Sequence, residues 1–331
     1  MPHFPEPATT FRPAIAPQMK PLLEAMRARI AARPPMDAGD VAAIRRRFDE
    51  DVARWNEDPP PLPRVEDRPV AGRDGPLAAR LYDPDPRAAV LPGLIYFHGG
   101  GWIVGGLDSE DRWLRLLARR AGVRVVSVAY GLAPENKFPG PVEDCLAACR
   151  FLRERAADWG LDGDRLAVGG ASAGANLALA TALALRDRGE AWLRYGVLLY
   201  GVYTCGMASE SRRLFGGGDY GLGDEAMDFF LSLYLGNEAQ RQDPRVNLVA
   251  AELAGLPPLF LIAAGLDPLR DETRLLRDRL AAAGVACEHV EYSGVIHGFT
   301  LMTRDLDVAN QALADTAAAL RRALTAGQGL S

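Results

Sequence analysis

The 331-residue sequence has few cysteines and few histidines, and this scarcity argues against two kinds of site. Its four cysteines form no C-x-x-C pair, and the lone C-x-x-x-C pair of Cys145 and Cys149 is too little for a zinc site. We therefore expect these two, together with Cys205 and Cys287, to pack as small apolar residues. With His3 assigned to an N-terminal tail, only three histidines remain, so no histidine-rich metal centre is expected.

The sequence also lacks long apolar runs and an excess of positive charge. No apolar run reaches the roughly 18 residues that a membrane span needs, although 48% of the residues are hydrophobic. The proline-rich residues 1–18 have neither a basic start nor an apolar block, unlike a secretory signal, so we expect a cytoplasmic protein. Because the net charge is -5, nucleic acid is not expected as a partner.

Two amphipathic helices are predicted at the start of the chain. Apolar residues recur at helical spacing between about residues 20 and 55, and Asp40 stands where it would cap the second helix. The proline-dense stretch 56–69 cannot continue a helix and is interpreted as a boundary. A second unit is therefore predicted to begin near Val65.

Strands and helices alternate after this boundary. The predicted strands cover residues 76–83, 93–97, 123–130, 165–170, 195–201, 258–265 and 287–292. Several are continuous apolar runs, which is typical of strands buried on both faces. The alternation predicts an α/β fold with a mostly parallel central sheet flanked by helices. Residues 203–236 interrupt it with a glycine-rich loop and a helical apolar stripe, and we interpret them as an insertion.

His98 and three consecutive glycines follow the strand predicted at 93–97. Consecutive glycines mark a place where the backbone approaches something closely, either a phosphate or an oxyanion. No Lys-Ser or Lys-Thr pair follows the glycines and no acidic ribose partner is evident, so an oxyanion hole is favoured. We expect His98 to orient this loop by hydrogen bonding, while the peptide N–H groups of the glycines perform the chemistry.

A G-x-S-x-G motif at 170–174 stands between a predicted strand and an alanine-rich helix. This setting is typical of a nucleophile elbow, in which small flanking residues permit the strained turn that exposes a serine hydroxyl. His-Gly-Gly-Gly is expected by chance about 0.004 times in a chain of this composition and G-x-S-x-G about 0.08 times. The glycine run is thus the more specific of the two signals, and Ser172 is the candidate nucleophile.

A serine hydroxyl needs a base and a third group that orients the base. His297 follows the last predicted strand, whereas His289 lies inside that strand and is expected to be structural. Asp267 comes directly after an apolar strand, and its rival Asp271 stands where it would begin the next helix. The order Ser172, Asp267, His297 is the order found in α/β-hydrolases.

Four segments give the sequence a clear resemblance to the hormone-sensitive-lipase-like branch of the α/β-hydrolases, in particular to its bacterial carboxylesterases. They are "HGGGW" at 98–102, "GASAGANLA" at 170–178, "DPLRDE" at 267–272 and "IHGF" at 296–299. The resemblance implies an α/β-hydrolase catalytic domain over residues 65–325. It also implies a helical cap built from residues 1–55 and the insertion at 203–236.

The resemblance further implies hydrolysis of small-molecule carboxylic esters with short or medium acyl chains. The reaction is expected to need no cofactor and no metal. By matching residues, Ser172 is the nucleophile, His297 the general base and Asp267 the acid. The implied oxyanion hole consists of the N–H groups of Gly100, Gly101 and Ala173. A homodimer through the sheet edge is also suggested.

Several alternatives stay open at this stage. An amide or formamide hydrolase would use the same triad, and a non-catalytic ligand-binding relative would share the fold. Three aromatic residues are candidates for pocket walls, although each would serve equally well in an ordinary core: Trp102, Phe215 and Phe299. The chain also departs from the usual family pattern at three positions, Ala171, Ala175 and Gly131, which leaves acyl-chain preference and local stability undetermined.

Overall fold

The computed structural model of the protein describes residues 14–33 and 39–325. The tail that includes His3, and parts of the predicted cap segment 1–55, lie outside the described residues. The predicted catalytic domain, 65–325, lies wholly within them.

Eight strands of the described chain form one sheet in the order β1-β2-β4-β3-β5-β6-β7-β8. Their bounds are β1 Arg64–Ala71, β2 Pro76–Asp83, β3 Leu91–Phe97, β4 Arg124–Val128, β5 Leu161–Ala171, β6 Leu193–Leu199, β7 Leu259–Ala264 and β8 Cys287–Tyr292. The first two strands pair antiparallel and the other six run parallel. The prediction of an α/β fold with a mostly parallel sheet is confirmed.

All seven predicted strands are present, and an eighth strand, β1, was missed. The sequence of β1, "RVEDRPVA", alternates with charged residues and contains Pro69, so it lacks the apolar signal of a buried strand. It is an edge strand that pairs only with β2, where proline is tolerated. The predicted strand at 123–130 ends two residues earlier than expected, at Val128.

Helices cover both faces of the sheet. Their bounds are α1 Met19–Ala32, α2 Val41–Asn56, α3 Asp111–Ala121, α4 Gly140–Glu154, α5 Ala173–Asp187, α6 Glu210–Phe215, α7 Asp224–Tyr234, α8 Arg270–Ala282 and α9 Asp307–Thr325. Successive side chains of β3 point to opposite faces. Tyr96 packs in the core beneath α3 and α9, and Ile95 packs in the core beneath α4 and α5. This alternation gives the sheet two separate hydrophobic cores.

The two predicted N-terminal helices are confirmed as α1 and α2. The Asp40 carboxylate accepts a hydrogen bond from the Ala43 N–H at 2.8 Å, as an N-terminal cap does. The predicted burial of the cysteines holds for Cys145 and Cys149, whereas Cys205 and Cys287 are half-buried. Among the described residues, no helix is both long enough and apolar enough to cross a membrane.

Candidate active site

Ser172 occupies the tight turn between β5 and α5. Its φ of +54° is uncommon for a residue with a side chain and marks local backbone strain. The turn brings the start of α5 close to the end of β3. A Cβ at Gly174 would overlap the carbonyl oxygen of Phe97, and one at Gly170 would lie 2.6 Å from that same oxygen. Only glycine fits at these two positions, so the motif places Ser172 at the edge of the sheet.

Ser172, His297 and Asp267 meet at hydrogen-bonding distance. His297 Nε2 lies 2.9 Å from Ser172 Oγ, and His297 Nδ1 lies 2.7 Å from Asp267 Oδ2. Asp267 is fully buried, and its other oxygen, Oδ1, accepts the Leu269 N–H at 2.9 Å. A carboxylate beside Nδ1 favours the tautomer with the proton on Nδ1, which leaves Nε2 free to accept the serine proton.

Two backbone hydrogen bonds join the loops that carry the acid and the histidine. The Gly265 N–H donates to the Tyr292 carbonyl at 2.8 Å, and the Leu266 N–H donates to the Val295 carbonyl at 2.9 Å. Because β7 and β8 are parallel neighbours, both loops leave the sheet at the same edge. The pairing of two strand ends therefore fixes the distance between Asp267 and His297.

Tyr200, directly after β6, packs against His297. Its ring makes an edge-on contact with His297, with the centroids 4.9 Å apart, and its hydroxyl lies 2.5 Å from Thr300 Oγ1. Its φ is +38°, a strained value for a side chain of this size. Sequence reasoning missed Tyr200, because its contact with His297 spans almost a hundred residues and leaves no local pattern.

The glycine loop presents unpaired N–H groups near Ser172. The carbonyl of Gly100 accepts the N–H groups of Ile103 and Val104, each at 3.0 Å, which closes a tight turn. The N–H groups of Gly100 and Gly101 donate no hydrogen bond to any residue within 14–33 and 39–325. Ala173 is the first residue of α5, where the N–H has no acceptor inside the helix. These donors are available for a bound anion.

His98 lies beneath this loop. Burial lowers the pKa of His98 to about 4, so the ring is neutral near pH 7. Its Nδ1 lies 2.8 Å from the Gly99 carbonyl oxygen, and its ring stacks on Tyr130 with the centroids 4.5 Å apart. The Tyr130 hydroxyl in turn donates to the His98 carbonyl at 3.0 Å. These contacts hold the start of the loop against the core.

Glu110, a residue that the sequence did not single out, touches the same loop. It is 4% exposed and accepts the Gly99 N–H at 2.8 Å and the Tyr96 hydroxyl at 2.6 Å. Burial raises the pKa of Glu110. The residue immediately precedes α3, where an acid is ordinarily explained by the helix N-terminus, so no sequence signal pointed to the loop.

A cavity of about 390 Å³ lies above Ser172 and His297. Its walls come from α1, α2, the glycine loop, α7 with the loop before it, and the loop after β8. Apolar side chains dominate the walls, among them Met26, Phe48, Trp55 and Phe230. Ile30 lies on the cavity and is 56% exposed, so the cavity wall reaches the protein surface at α1.

The three aromatic residues expected on the pocket walls lie in the core instead. Trp102 has a φ of +65°, which turns its ring onto Tyr234, with the centroids 4.4 Å apart. Phe299 packs between Tyr200 and Tyr292. Phe215 ends α6 and is also fully buried, with an edge-on contact to Tyr220. None of these three residues lies on the cavity, so the prediction is corrected.

The two alternative candidates are His289 for the base and Asp271 for the acid. His289 is half-buried within β8, and burial lowers its pKa. Asp271 is in the first turn of α8, and its carboxylate accepts the Ser211 N–H at 2.8 Å. Neither residue lies on the cavity.

At the three positions that depart from the family pattern, the surrounding structure leaves little room for a larger side chain. Ala171 and Ala175 are buried beside the elbow. At Gly131, a Cβ would lie 2.9 Å from Asp144 Oδ2, which accepts the Gly131 N–H at 3.1 Å. The Asn136 side chain also binds Asp144, at 2.8 Å, so a different polar group occupies the space beside Gly131.

Comparison with known proteins identifies the family and the fold. The model of a family with the alpha/beta hydrolase fold matches residues 94–301. An acetyl esterase from Salmonella schwarzengrund (strain CVM19633) is 38% identical over 291 residues, which cover 86% of this chain and 88% of that protein. Its identity to this chain extends well beyond the four segments quoted above.

Solved esterase structures share the whole fold. A hyperthermophilic esterase from the archaeon Pyrobaculum calidifontis superposes with a TM-score of 0.87 at 35% identity, covering 93% of this chain and 98% of that one. A thermostable carboxylesterase cloned from a metagenomic library gives a TM-score of 0.84 at 35% identity, covering 86% and 98%. The chain thus belongs to the hormone-sensitive-lipase-like bacterial carboxylesterases of the α/β-hydrolase superfamily, a family of carboxylic ester hydrolases of the serine hydrolase class.

Proposed function

We propose that this protein hydrolyses short- to medium-chain carboxylic esters through an acyl-enzyme formed on Ser172. The observation that carries the proposal is the pair of short contacts of His297, at 2.9 Å to Ser172 Oγ and 2.7 Å to Asp267 Oδ2. In the first step, Ser172 Oγ attacks the ester carbonyl carbon while His297 Nε2 takes the hydroxyl proton. Asp267 holds the ring and stabilises its charged form.

The negative charge that develops on the carbonyl oxygen needs donors that are already in place. The N–H groups of Gly100, Gly101 and Ala173 fill this role in the proposed mechanism, which is supported by their lack of partners among the described residues. His297 then returns its proton to the leaving alcohol. A water molecule, deprotonated by the same histidine, attacks the acyl carbon and releases the acid and free Ser172.

The proposed chain length follows from the cavity and from the relatives. A volume of about 390 Å³ with mostly apolar walls accommodates a short or medium acyl chain and its alcohol. The relative from Salmonella is named an acetyl esterase, which supports the short end of this range. In this proposal, the segments 1–55 and 203–236 form the cap that closes the cavity over the catalytic domain at 65–325.

The decisive experiment compares Ser172→Ala with Ser232→Ala, a matched change at an exposed serine on α7. With 4-nitrophenyl acetate and butyrate as substrates, Ser172→Ala is expected to lower kcat by about 10⁴- to 10⁶-fold, as in other serine hydrolases. Ser232→Ala is expected to keep the rate of the wild-type protein. A fluorophosphonate probe should label the wild type and Ser232→Ala but not Ser172→Ala. Equal turnover or equal labelling of Ser172→Ala would contradict the proposal.

The same assay separates the alternatives. An amide or formamide hydrolase would turn over 4-nitroanilides or formanilides in addition to 4-nitrophenyl esters, because the activated esters react readily on the same serine. A non-catalytic ligand-binding relative would turn over neither. We expect turnover of the esters without measurable turnover of the anilides, because the relatives are esterases.

Two further parts of the proposal concern the whole protein. A homodimer through the edge strand β8 is proposed and is tested by sedimentation of the wild type beside a variant with proline in that strand. A cytoplasmic location is proposed and is tested by cell fractionation.

A further inference from the structure

One buried carboxylic acid beside the nucleophile has no part in the triad. Glu110 is 4% exposed, immediately precedes α3 and lies on the cavity wall. A buried ionisable group is costly unless it has partners, so its contacts require an explanation. Its next neighbour, Asp111, is also buried and faces a different set of partners.

Both oxygens of Glu110 are engaged. The Gly99 N–H donates to Oε1 at 2.8 Å, and the Tyr96 hydroxyl donates to Oε2 at 2.6 Å. A Cβ built on Gly99 would lie 3.5 Å from Glu110 Oε1 and also 3.5 Å from Ser172 Cβ. The carboxyl group and the nucleophile are therefore close neighbours on the same side of Gly99.

Gly99 is the residue from which the proposed oxyanion hole extends. The next two residues, Gly100 and Gly101, have φ values of +125° and +57°. Glycines at such angles have no side chains to fix their peptide planes, so the direction of their N–H groups depends on anchors nearby. The Glu110 contact fixes the His98–Gly99 peptide, which is the one before the peptide that carries the Gly100 N–H.

The anchor is connected to the rigid sheet. Tyr96 is in β3, is fully buried and packs against Trp113 of α3 with the ring centroids 5.8 Å apart. The connection runs from β3 through the Tyr96 hydroxyl and the Glu110 carboxyl to the Gly99 N–H. A site on rigid elements holds catalytic donors more accurately than a free loop does.

We propose that Glu110 is a positioning residue for the oxyanion hole, which it orients by holding the Gly99 N–H against β3. The inference rests on the proposed role of the Gly100 and Gly101 N–H groups. An oxyanion forms only in the transition state, so a misdirected donor lowers kcat and leaves KM nearly unchanged. If the role of Glu110 were purely structural, its replacement would lower the stability of the protein but would not lower kcat at constant KM.

The protonation state of Glu110 suggests the matched variant. Burial raises the pKa of Glu110, and the charge of its carboxylate in turn contributes to the raised pKa values of the Tyr96, Tyr130 and Tyr200 phenols. A glutamine at this position keeps both contacts, because its amide oxygen can accept from Gly99 and its amide nitrogen can donate to the Tyr96 oxygen. A methionine has similar length and no strong acceptor.

The experiment measures kcat and KM for 4-nitrophenyl butyrate in Glu110→Met, Glu110→Gln and the wild type. Loss of one oxyanion donor costs about 10²- to 10³-fold, so a misdirected hole in Glu110→Met is expected to lower kcat by about 10- to 100-fold. KM should stay within about threefold, and Glu110→Gln should stay within about threefold of the wild type in both constants. Asp111→Asn is the control, since Asp111 binds Tyr82, Arg80 and Arg115 instead of the loop. It should lower the melting temperature and leave kcat unchanged.

Three outcomes would overturn the inference. They are an unchanged kcat in folded Glu110→Met, an increase in KM alone, and equal losses in Glu110→Met and Glu110→Gln. Should Glu110→Met fail to fold, Tyr96→Phe decides, because it removes the contact at Oε2 without altering the cavity wall. A folded Tyr96→Phe with lowered kcat supports the inference, and one with wild-type kcat overturns it. Ser172→Ala in the same assay tests the proposed function separately.

Discussion

At the scale of single residues, the three proposed triad positions could be selected from the sequence because each follows a strand. Parallel strands end at the same edge, so Ser172 after β5, Asp267 after β7 and His297 after β8 are necessarily near one another. Glu110 and Tyr200 could not be found in this way. Their partners are determined by how the glycine loop and the loop after β8 pack. Neither contact leaves a periodic pattern in the sequence.

The two histidines at and near β8 offer a direct test at this scale. His297 lies between Ser172 Oγ and Asp267, whereas His289 is half-buried inside the strand. We expect His297→Gln to lower kcat for 4-nitrophenyl acetate by about 10⁴-fold or more, since no other base is in contact with Ser172 among the described residues. His289→Gln is the matched control and should keep wild-type kcat. Loss of activity in His289→Gln alone would mean that the base has been assigned to the wrong histidine.

At the scale of elements, the sequence predicts strands well where they are buried on both faces. The segment 258–265 was predicted to within about one residue of each end of β7, which is buried throughout, whereas β1 is an edge strand with a polar pattern and a single neighbour. The prediction that three aromatic residues line the pocket was wrong for a different reason. Whether Trp102 faces the cavity or the core depends on its backbone and side-chain torsion angles, among them an uncommon φ of +65°, which composition and spacing do not reveal.

Helix α2 carries part of the cavity wall, and one arginine holds it to the glycine loop. The Arg45 guanidinium donates to the carbonyls of Ile103 and Ala133, at 2.9 and 3.0 Å, and pairs with Glu135 at 2.7 Å. Phe48 and Trp55 lie on the same helix and face the cavity. Arg45 therefore helps to hold this wall in place relative to Ser172, together with the Asn56 amide, which donates to the Ser109 carbonyl at 2.8 Å.

Removal of this link should loosen the substrate wall before it affects the chemistry. We expect Arg45→Met to raise KM for 4-nitrophenyl butyrate by about 3- to 10-fold with little change in kcat, because the triad is untouched. Stability should fall by about 1 to 2 kcal/mol, as expected for hydrogen bonds from a charged group that is partly exposed. Chemical denaturation and steady-state kinetics measure both effects. Arg46→Met, at an exposed neighbouring position, is the control, and the same change in KM for both variants would contradict the assigned role of Arg45.

At the scale of the whole molecule, the cavity is made of parts that are far apart in the sequence. The carboxyl edge of the sheet forms its floor, and α1, α2 and α7 with the loop before it form the sides. The sequence predicted these helical segments as additions to the α/β pattern. It could not predict which side chains face inward, because this depends on how α1 and α2 meet α7, which is far from them in the sequence.

The space between Ser172 and the exposed part of the cavity wall should set the length of the acyl chain that the protein accepts. Ser172 and His297 line the cavity, and Ile30 of α1, which also lines it, is exposed at the surface. Val52 lies on the wall of α2, so a larger side chain there should obstruct long chains and leave room for short ones. We expect Val52→Phe to lower kcat/KM for 4-nitrophenyl octanoate by about 10-fold or more and for the acetate by less than about threefold, equivalent to roughly 1 kcal/mol of discrimination. Ala53→Phe, on the exposed face of the same helix, should leave the chain-length profile unchanged. Equal losses for octanoate and acetate in Val52→Phe would mean that the chain does not extend between α1 and α2.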